Sequence, residues 1–360
     1  MNGTSLYIIL SLLLFFSCAS PSEGNSQVIS SKTTLSQAEE ILADEDAIIS
    51  VHFFGHFLIA LLNDNTLSYA IYDTGNSLKK LGTIGSIGNG PDQWQGFYAT
   101  GQYEKTDLGH SFWVVDPIAY KLRLVNIEQS LLTGTPVIEE RYSIHPKYGL
   151  NQFTYRMDSG VFIGNLGLGA MDRTRLKKLD IKTELSSQSE LIPAVDGIER
   201  ADPTDIYNIY FDYLRMKPDK TKFVSAMSLI DRLDIFNANL TLANSFVEEP
   251  KANYVLKDFD FNNKIFHYRS LDATDNFIYA AYRKQKITEL IDEAESKTAA
   301  PPKSEIRIFN WDGELLEILE VPYNVMSFAV DEKNRLLYII DFYNEKNIKL
   351  DISDLSIFQN

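Results

Sequence analysis

Few residues of this chain are placed to do chemistry, and they are widely spaced. The five histidines stand at 52, 56, 110, 145 and 267. His52 and His56 are four apart within strand-like sequence, where that spacing sets them about 13 Å apart along the chain. A zinc pair at this interval needs a helix, so these histidines are expected to be structural or surface groups. Asp116, Asp312 and Asp341 end strand-like runs or sit in turns. Such carboxylates can line a channel and hold a divalent ion such as Ca²⁺. They can equally stabilise turns, and Asp312-Gly313 is hairpin chemistry. No Gly-x-Ser-x-Gly elbow occurs. No catalytic residue is assigned, and the balance falls against an enzyme. Tyr207, Tyr210 and Tyr213 form an aromatic stretch between prolines. They could stack on a sugar or a peptide, or pack in the core or rim.

The single cysteine, Cys18, follows an apolar run from Leu6 to Phe16. That run is too short to cross a bilayer, which takes roughly 20 apolar residues, and it has the length of a signal-peptide core. Ser17, Ala19 and Ser20 flank the thiol with small residues. The arrangement resembles the lipobox, in which the cysteine becomes the first mature residue and carries acyl chains. The alternatives are a secretory signal in which Cys18 is incidental, and a buried N-terminal strand or helix. Residues 19–27 are small and polar, as a tether would be. The expected boundaries are 1–17 for the signal peptide, 18–44 for the lipidated N-terminus and tether, and 45–360 for the folded body.

Composition narrows the classes further. With 360 residues and 44% hydrophobic content, the chain can build one large all-β domain. Beyond Cys18 there is no thiol, so disulfides, thiolate metal sites and cysteine nucleophiles are excluded from the mature part. The net charge of −15 argues against a nucleic-acid partner, because a phosphate backbone wants a basic face. Contact with a membrane is expected through the lipid alone.

Short alternating strands with tight turns run from residue 47 to the C-terminus. Residues 47–54, 57–62, 67–72 and 78–84 read as one antiparallel sheet. Similar units recur at 111–127, 161–181, 222–239, 277–319 and 326–352. Six units of roughly 40–60 residues match the blades of a propeller. An amphipathic sheet cannot bury both faces alone, and stacking around an axis solves this. The expected fold is all-β, a six-bladed β-propeller of four-stranded antiparallel blades, in preference to a sandwich. Two stretches break the rhythm. Residues 284–303 read as a short helical insertion, and 202–220 as a long loop or irregular strand.

The tightest internal motif is Ile84-Gly85-Ser86-Ile87-Gly88-Asn89-Gly90-Pro91-Asp92-Gln93-Trp94. Its glycines permit positive φ, Pro91 stiffens the exit and Trp94 offers an apolar anchor. A phosphate-cradling loop would need Gly-Lys-Ser/Thr and a helix behind it, and neither follows. The motif resembles a segment of Bacteroidetes six-bladed propeller lipoproteins, of the TolB-like and NHL-like superfamily. Asp92-Gln93-Trp94 stands where Gly-Glu-Phe is commoner there. The resemblance implies the fold and a place in the cell envelope, at the outer membrane with its face open. It carries hardly any chemistry; the lipobox-like segment, the tether and the missing catalytic motif point to a module that binds a protein, glycan or peptide on one rim. Related propellers include metal-dependent lactonases and lyases, so a hydrolase or lyase with a channel metal is the alternative. An accessory subunit of an outer-membrane nutrient-uptake complex is a third reading.

Overall fold

Apolar strands joined by tight turns fold into sheet after sheet along the chain, each from consecutive hairpins. The computed structural model describes residues 31–34, 38–42, 48–63, 68–90, 93–96, 98–148, 151–165, 175–290, 303–341 and 344–359. Blade 1 holds β3 (Ile48–Phe54), β4 (Phe57–Leu62), β5 (Ser68–Asp73) and β6 (Lys79–Ile84). Blade 2 holds β7 (Tyr98–Thr106), β8 (Gly109–Asp116), β9 (Lys121–Asn126) and β10 (Val137–Ser143), with helix α1 (Ile127–Thr133) before its last strand. Blade 3 holds β11 (Thr154–Asp158), β12 (Val161–Asn165), β13 (Leu176–Asp180) and β14 (Leu185–Gln188). Blade 4 holds β16 (Asp212–Met216), β17 (Lys222–Met227), β18 (Leu233–Asn237) and β19 (Leu242–Phe246). Blade 5 holds β21 (Ile265–Ala273), β22 (Phe277–Lys286), β23 (Ser304–Asn310) and β24 (Leu315–Val321). Blade 6 holds β25 (Val325–Asp331), β26 (Leu336–Asp341) and β27 (Lys346–Asp351).

The fourth strand of blade 6 comes from the other end of the chain. β2 (Ala38–Ile41) pairs antiparallel with β27, from Ala38 opposite Leu350 to Ile41 opposite Asn347. β1 (Ser31–Thr34) lies parallel on β24 as a fifth strand of blade 5. Thr33 Oγ1 donates to Glu317 Oε1 at 2.9 Å, and Lys32 Nζ meets Glu320 Oε1 at 2.7 Å. A tether through residue 44 is therefore corrected. The folded body already includes residues 31–34 and 38–41, whose polar sequence hid their pairing. The result is a six-bladed β-propeller closed by its own N-terminal strand.

Each blade joint is an apolar cluster between neighbouring sheets. Trp94, Phe112 and Ile59 join blades 1 and 2, and Trp113 and Phe162 join blades 2 and 3. Tyr155 and Phe223 join blades 3 and 4, and Ile278 and Phe246 join blades 4 and 5. Val325 and Ile306 join blades 5 and 6, while Ile41, Leu58 and Tyr338 close the ring from blade 6 to blade 1. Burial of each such side chain is worth ~1.5–3 kcal/mol, spread evenly around the circle.

The two stretches that break the rhythm resolve differently. Residues 202–220 form a capped helix followed by the innermost strand of blade 4. Helix α2 (Pro203–Ile209) starts at Asp202, whose carboxylate accepts from Asp205 N at 2.9 Å, with Pro203 in the first turn. This corrects the loop reading; Asp-Pro-x-Asp is itself a helix-start signal. Residues 284–286 continue β22, 287–290 are helical, and 291–302 lie outside the described residues. A small parallel pair, β15 (Val195–Asp196) with β20 (Tyr254–Val255), ties the crossover before blade 4 to the one after it. Ile206, Ile209, Met227 and Phe259 pack beneath it as a separate apolar cap.

Candidate functional site

The first strand of each blade is innermost, and these strands wall the central channel. At the ends of β3, β16, β21 and β25 and the middle of β7, the channel opens into a chamber of about 540 Å³. Five blades contribute to its lining. Phe53, Phe54 and Met216 give apolar wall, and Tyr103, Lys220, Asp272, Asp275, Glu332 and Lys333 give polar groups. Tyr103 is 42% exposed, and its ring packs 5.1 Å from that of Phe54. Asn276 Nδ2 donates to Glu332 Oε1 at 2.6 Å; the other Glu332 oxygen is buried without a hydrogen-bond partner among the described residues.

A cation lies behind this wall. Arg215 on β16 reaches Gly101 on β7, where an added Cβ would stand 3.2 Å from Nε. Gly101 has φ of +84°, a conformation that glycine takes without strain. The charge of Arg215 is felt by groups of three other blades. Burial pushes His52 down to about 3, and Arg215 adds to that effect. Burial raises Asp272, while Arg215 and the N–H of Val330 pull it back. Asp272 Oδ2 accepts from Val330 N at 2.8 Å, a strut between blades 5 and 6. Gln102 plays the same part between blades 2 and 3: its Nε2 donates to Arg156 O at 2.7 Å and its Oε1 accepts from Arg156 N at 2.8 Å.

The channel's other mouth is aromatic. Tyr207, Phe211 and Tyr213 form a chain of edge-on rings at 5.8 and 5.4 Å, and Phe153 stands 6.0 Å from Tyr213. The structure thus brings Tyr207 and Tyr213 together and separates Tyr210 from them. Tyr210 is buried in the cap, where its hydroxyl donates to Pro193 O at 2.8 Å. Burial pushes Tyr213 up to about 12, against the opposing charge of Arg269.

The glycine motif forms the crossover from blade 1 to blade 2. Gly88 N donates to Trp94 O at 2.8 Å, and Trp94 N to Ser86 O at 3.1 Å. Gly90 N donates to Gln93 Oε1 at 2.9 Å. Gly85 has φ of +88° and leaves no room for a Cβ, which would meet Trp94 Nε1 at 2.7 Å. Trp94 is buried, and the Arg123 guanidinium covers its ring at 4.4 Å. Pro91 and Cys18 lie outside the described residues.

The aspartates hold turns. Asp116 Oδ1 accepts from Ala119 N at 2.9 Å, and Asp341 Oδ1 from Asn344 N at 3.3 Å. Asp331, at the turn between β25 and β26, repeats the device with Asn334 N at 3.0 Å. Asp312 sits in the exposed β23–β24 turn beside Lys222. Among the described residues, no three His, Asp or Glu are grouped to hold a metal. The histidines scatter: His56 meets the edge of His110 at 5.4 Å, and His110 Nδ1 contacts Glu128 at 2.8 Å.

Tyr103 and Asp272 of the chamber, and Arg215 behind it, escaped sequence reasoning. One signal was present: a lone glycine in a strand marks a close backbone approach, and Gly101 is such a glycine.

A ring of six blades around a channel with one charged and one aromatic mouth is the architecture of a β-propeller. Solved structures share it. A member of the DUF4221 family from Bacteroides vulgatus superposes with TM-score 0.51 at 13% identity, over 85% of this chain and 91% of that one. A candidate exported protein from Bacteroides fragilis gives 0.50 at 9% identity, over 87% and 88%. The Cps50 (Swd1) β-propeller domain of Myceliophteria thermophila gives 0.44 at 11%, over 88% and 100%. At these identities the likeness to the two Bacteroides proteins is one of fold. No family model matches the chain, and no curated protein matches it in sequence.

Proposed function

We propose that this chain is a lipid-anchored binding module of the bacterial cell envelope that seats a small polar ligand in the charged mouth of its channel. The chamber carries the reading. Its volume of about 540 Å³ falls in the range of roughly 300–1,000 Å³ typical of small-molecule sites. Apolar wall and converging polar groups from five blades give the mixed lining such sites have. The half-exposed Tyr103 and the singly bonded Glu332 supply contacts that the fold itself does not use up. The envelope placement rests on Cys18 at the end of its apolar run, and the Bacteroides fragilis protein named for export is in keeping with it. No helix among the described residues is long and apolar enough to cross a membrane; the attachment proposed is the lipid on Cys18.

Two experiments test the halves separately. Metabolic labelling with a fatty-acid analogue should mark the wild type and leave Cys18→Ala unmarked; an unlabelled wild type removes the anchor. A polar metabolite library screened by thermal shift should give hits whose affinity falls in Tyr103→Ala and Asp275→Ala. Hits that bind both variants as tightly as the wild type would place the ligand elsewhere.

A further inference from the structure

The aromatic mouth differs from the chamber in chemistry and lies at the opposite end of the inner strands. Tyr213 is the second residue of β16, whereas Met216, its last, lines the chamber. Tyr207 and Phe211 are delivered by α2 and the turn after it, and the β15–β20 pair locks that segment against the next crossover. The rings are therefore held by regular structure rather than by a loose loop, which lowers the ordering cost of binding. All four rings of the array, Phe153 included, are half-buried, and Tyr98 at the start of β7 is 42% exposed beside them.

The hydroxyls of this array are not sealed in the core, whereas those of Tyr268 and Tyr279 are buried there without a partner among the described residues. Buried phenols ordinarily find a partner, and two nearby do. Tyr210 bonds Pro193 O, and Tyr155 donates to Leu214 O at 2.5 Å. The hydroxyls of Tyr207 and Tyr213 have no hydrogen-bond partner among the described residues, yet they lie within electrostatic reach of each other, with Arg269 beside Tyr213. Ring faces with unspent donors at their edges match one ligand shape: a ring that is C–H on its faces and hydroxylated around its rim.

We propose that this mouth is a second, saccharide-binding site, in which Tyr207, Phe211 and Tyr213 contact the faces of sugar rings while the two phenols and Arg269 meet sugar hydroxyls or a uronic carboxylate. A peptide would use the faces but has no matching rim of hydroxyls.

The test titrates the full chain with tetra- to hexasaccharides of glucose, mannose, xylose and galacturonate, followed by intrinsic fluorescence and by NMR. At least one should bind. Tyr207→Ala should weaken it by about tenfold or more, the scale of one good contact. Tyr213→Phe keeps the ring and removes the hydroxyl, so its melting temperature should hold while affinity falls several-fold. Lys333→Glu, in the chamber, should leave saccharide binding unchanged. Failure of the whole panel to bind overturns the proposal. So does binding that Tyr207→Ala and Tyr213→Phe do not alter, and so does capture of extended peptides on these tyrosines in place of sugars.

Discussion

Arg215 of blade 4 occupies the space that Gly101 of blade 2 leaves empty. A β-carbon at position 101 would stand 3.2 Å from Arg215 Nε, and the backbone there has φ of +84°. Two costs therefore meet at one residue: left-handed strain and a crowded guanidinium. Gly101→Ala is expected to lose about 1–3 kcal/mol, the range for a non-glycine residue held in that conformation. Urea denaturation checks it. Adding Arg215→Ala should recover the steric part and leave the strain, so a double-mutant cycle shows coupling of about 0.5 kcal/mol or more. Strictly additive losses would mean the two residues do not meet.

His52 makes stability depend on acid. Unfolded, it titrates near 6.5; in the fold, burial and then Arg215 hold it down to about 3. A lowered histidine favours the neutral form, so its contribution is complete above pH 6.5 and is lost as pH falls toward 3. At pH 4.5 the loss is about 3 kcal/mol. His52→Gln should unfold at nearly the same denaturant midpoint at pH 6.5 and pH 4.5, unlike the wild type. An unchanged pH slope would sink this assignment.

Asp231 acts with the opposite sign. It is buried between blades 4 and 5, 3.9 Å from His267 and 3.5 Å from the Tyr282 hydroxyl. Burial raises it from 3.8 to about 6, against the pull of Arg307. The fold therefore loses stability as pH rises from 3.8 through 6. Asp231→Asn should be more stable than the wild type at pH 7.5, by about 1–2 kcal/mol, and equal to it below pH 4. Melting temperatures across that range decide it.

Arg175 carries the heaviest single electrostatic role. It is fully buried between blades 3 and 4, bonded to Asp234, Ser225 and Asp212, with Nη1 donating to Ile192 O at 2.8 Å. Arg175→Met leaves two buried carboxylates facing each other. The expected loss is about 3–5 kcal/mol, read as a large drop in denaturation midpoint or as insoluble protein. Restoring solubility with Asp212→Asn and Asp234→Asn together would confirm that the charge, and not the volume, is responsible.

The outer strands of the blades were legible because they alternate. Burial alternates residue by residue along Leu315–Val321, as a strand's period of two requires, although Glu317 takes one of the buried places. Most inner strands were not, Ile48–Phe54 and Val325–Asp331 being the exceptions. Thr154–Asp158 and Tyr98–Thr106 border the channel, so polar residues stand where a buried strand would carry apolar ones. The closing strand Ala38–Ile41 was hidden for another reason: it is short, three of its four residues are exposed, and its partner lies at the far end of the chain. The tyrosine stretch was visible as a local cluster. The chamber was not, because each inner strand gives it only a few residues and no local spacing records their meeting.

Closure can be tested by trimming. Deletion through residue 42 removes β1 and β2, leaves the outer edge of β27 unpaired and bares the apolar joint at Ile48 and Tyr338. The truncated chain should show a broad, non-cooperative melt and rapid proteolysis near the C-terminus, while deletion through residue 30 should match the full chain.

The same stitching decides how the molecule carries load. Tension on the residues ahead of Ser31 arrives first at β1, whose hydrogen bonds to β24 lie beside the strand along its length. Only after β1 has yielded does the pull reach β2 and the ring itself. β1 therefore works as a strain relief, like the knot that keeps a cable from being torn from its socket, and the blades behind it stay at rest.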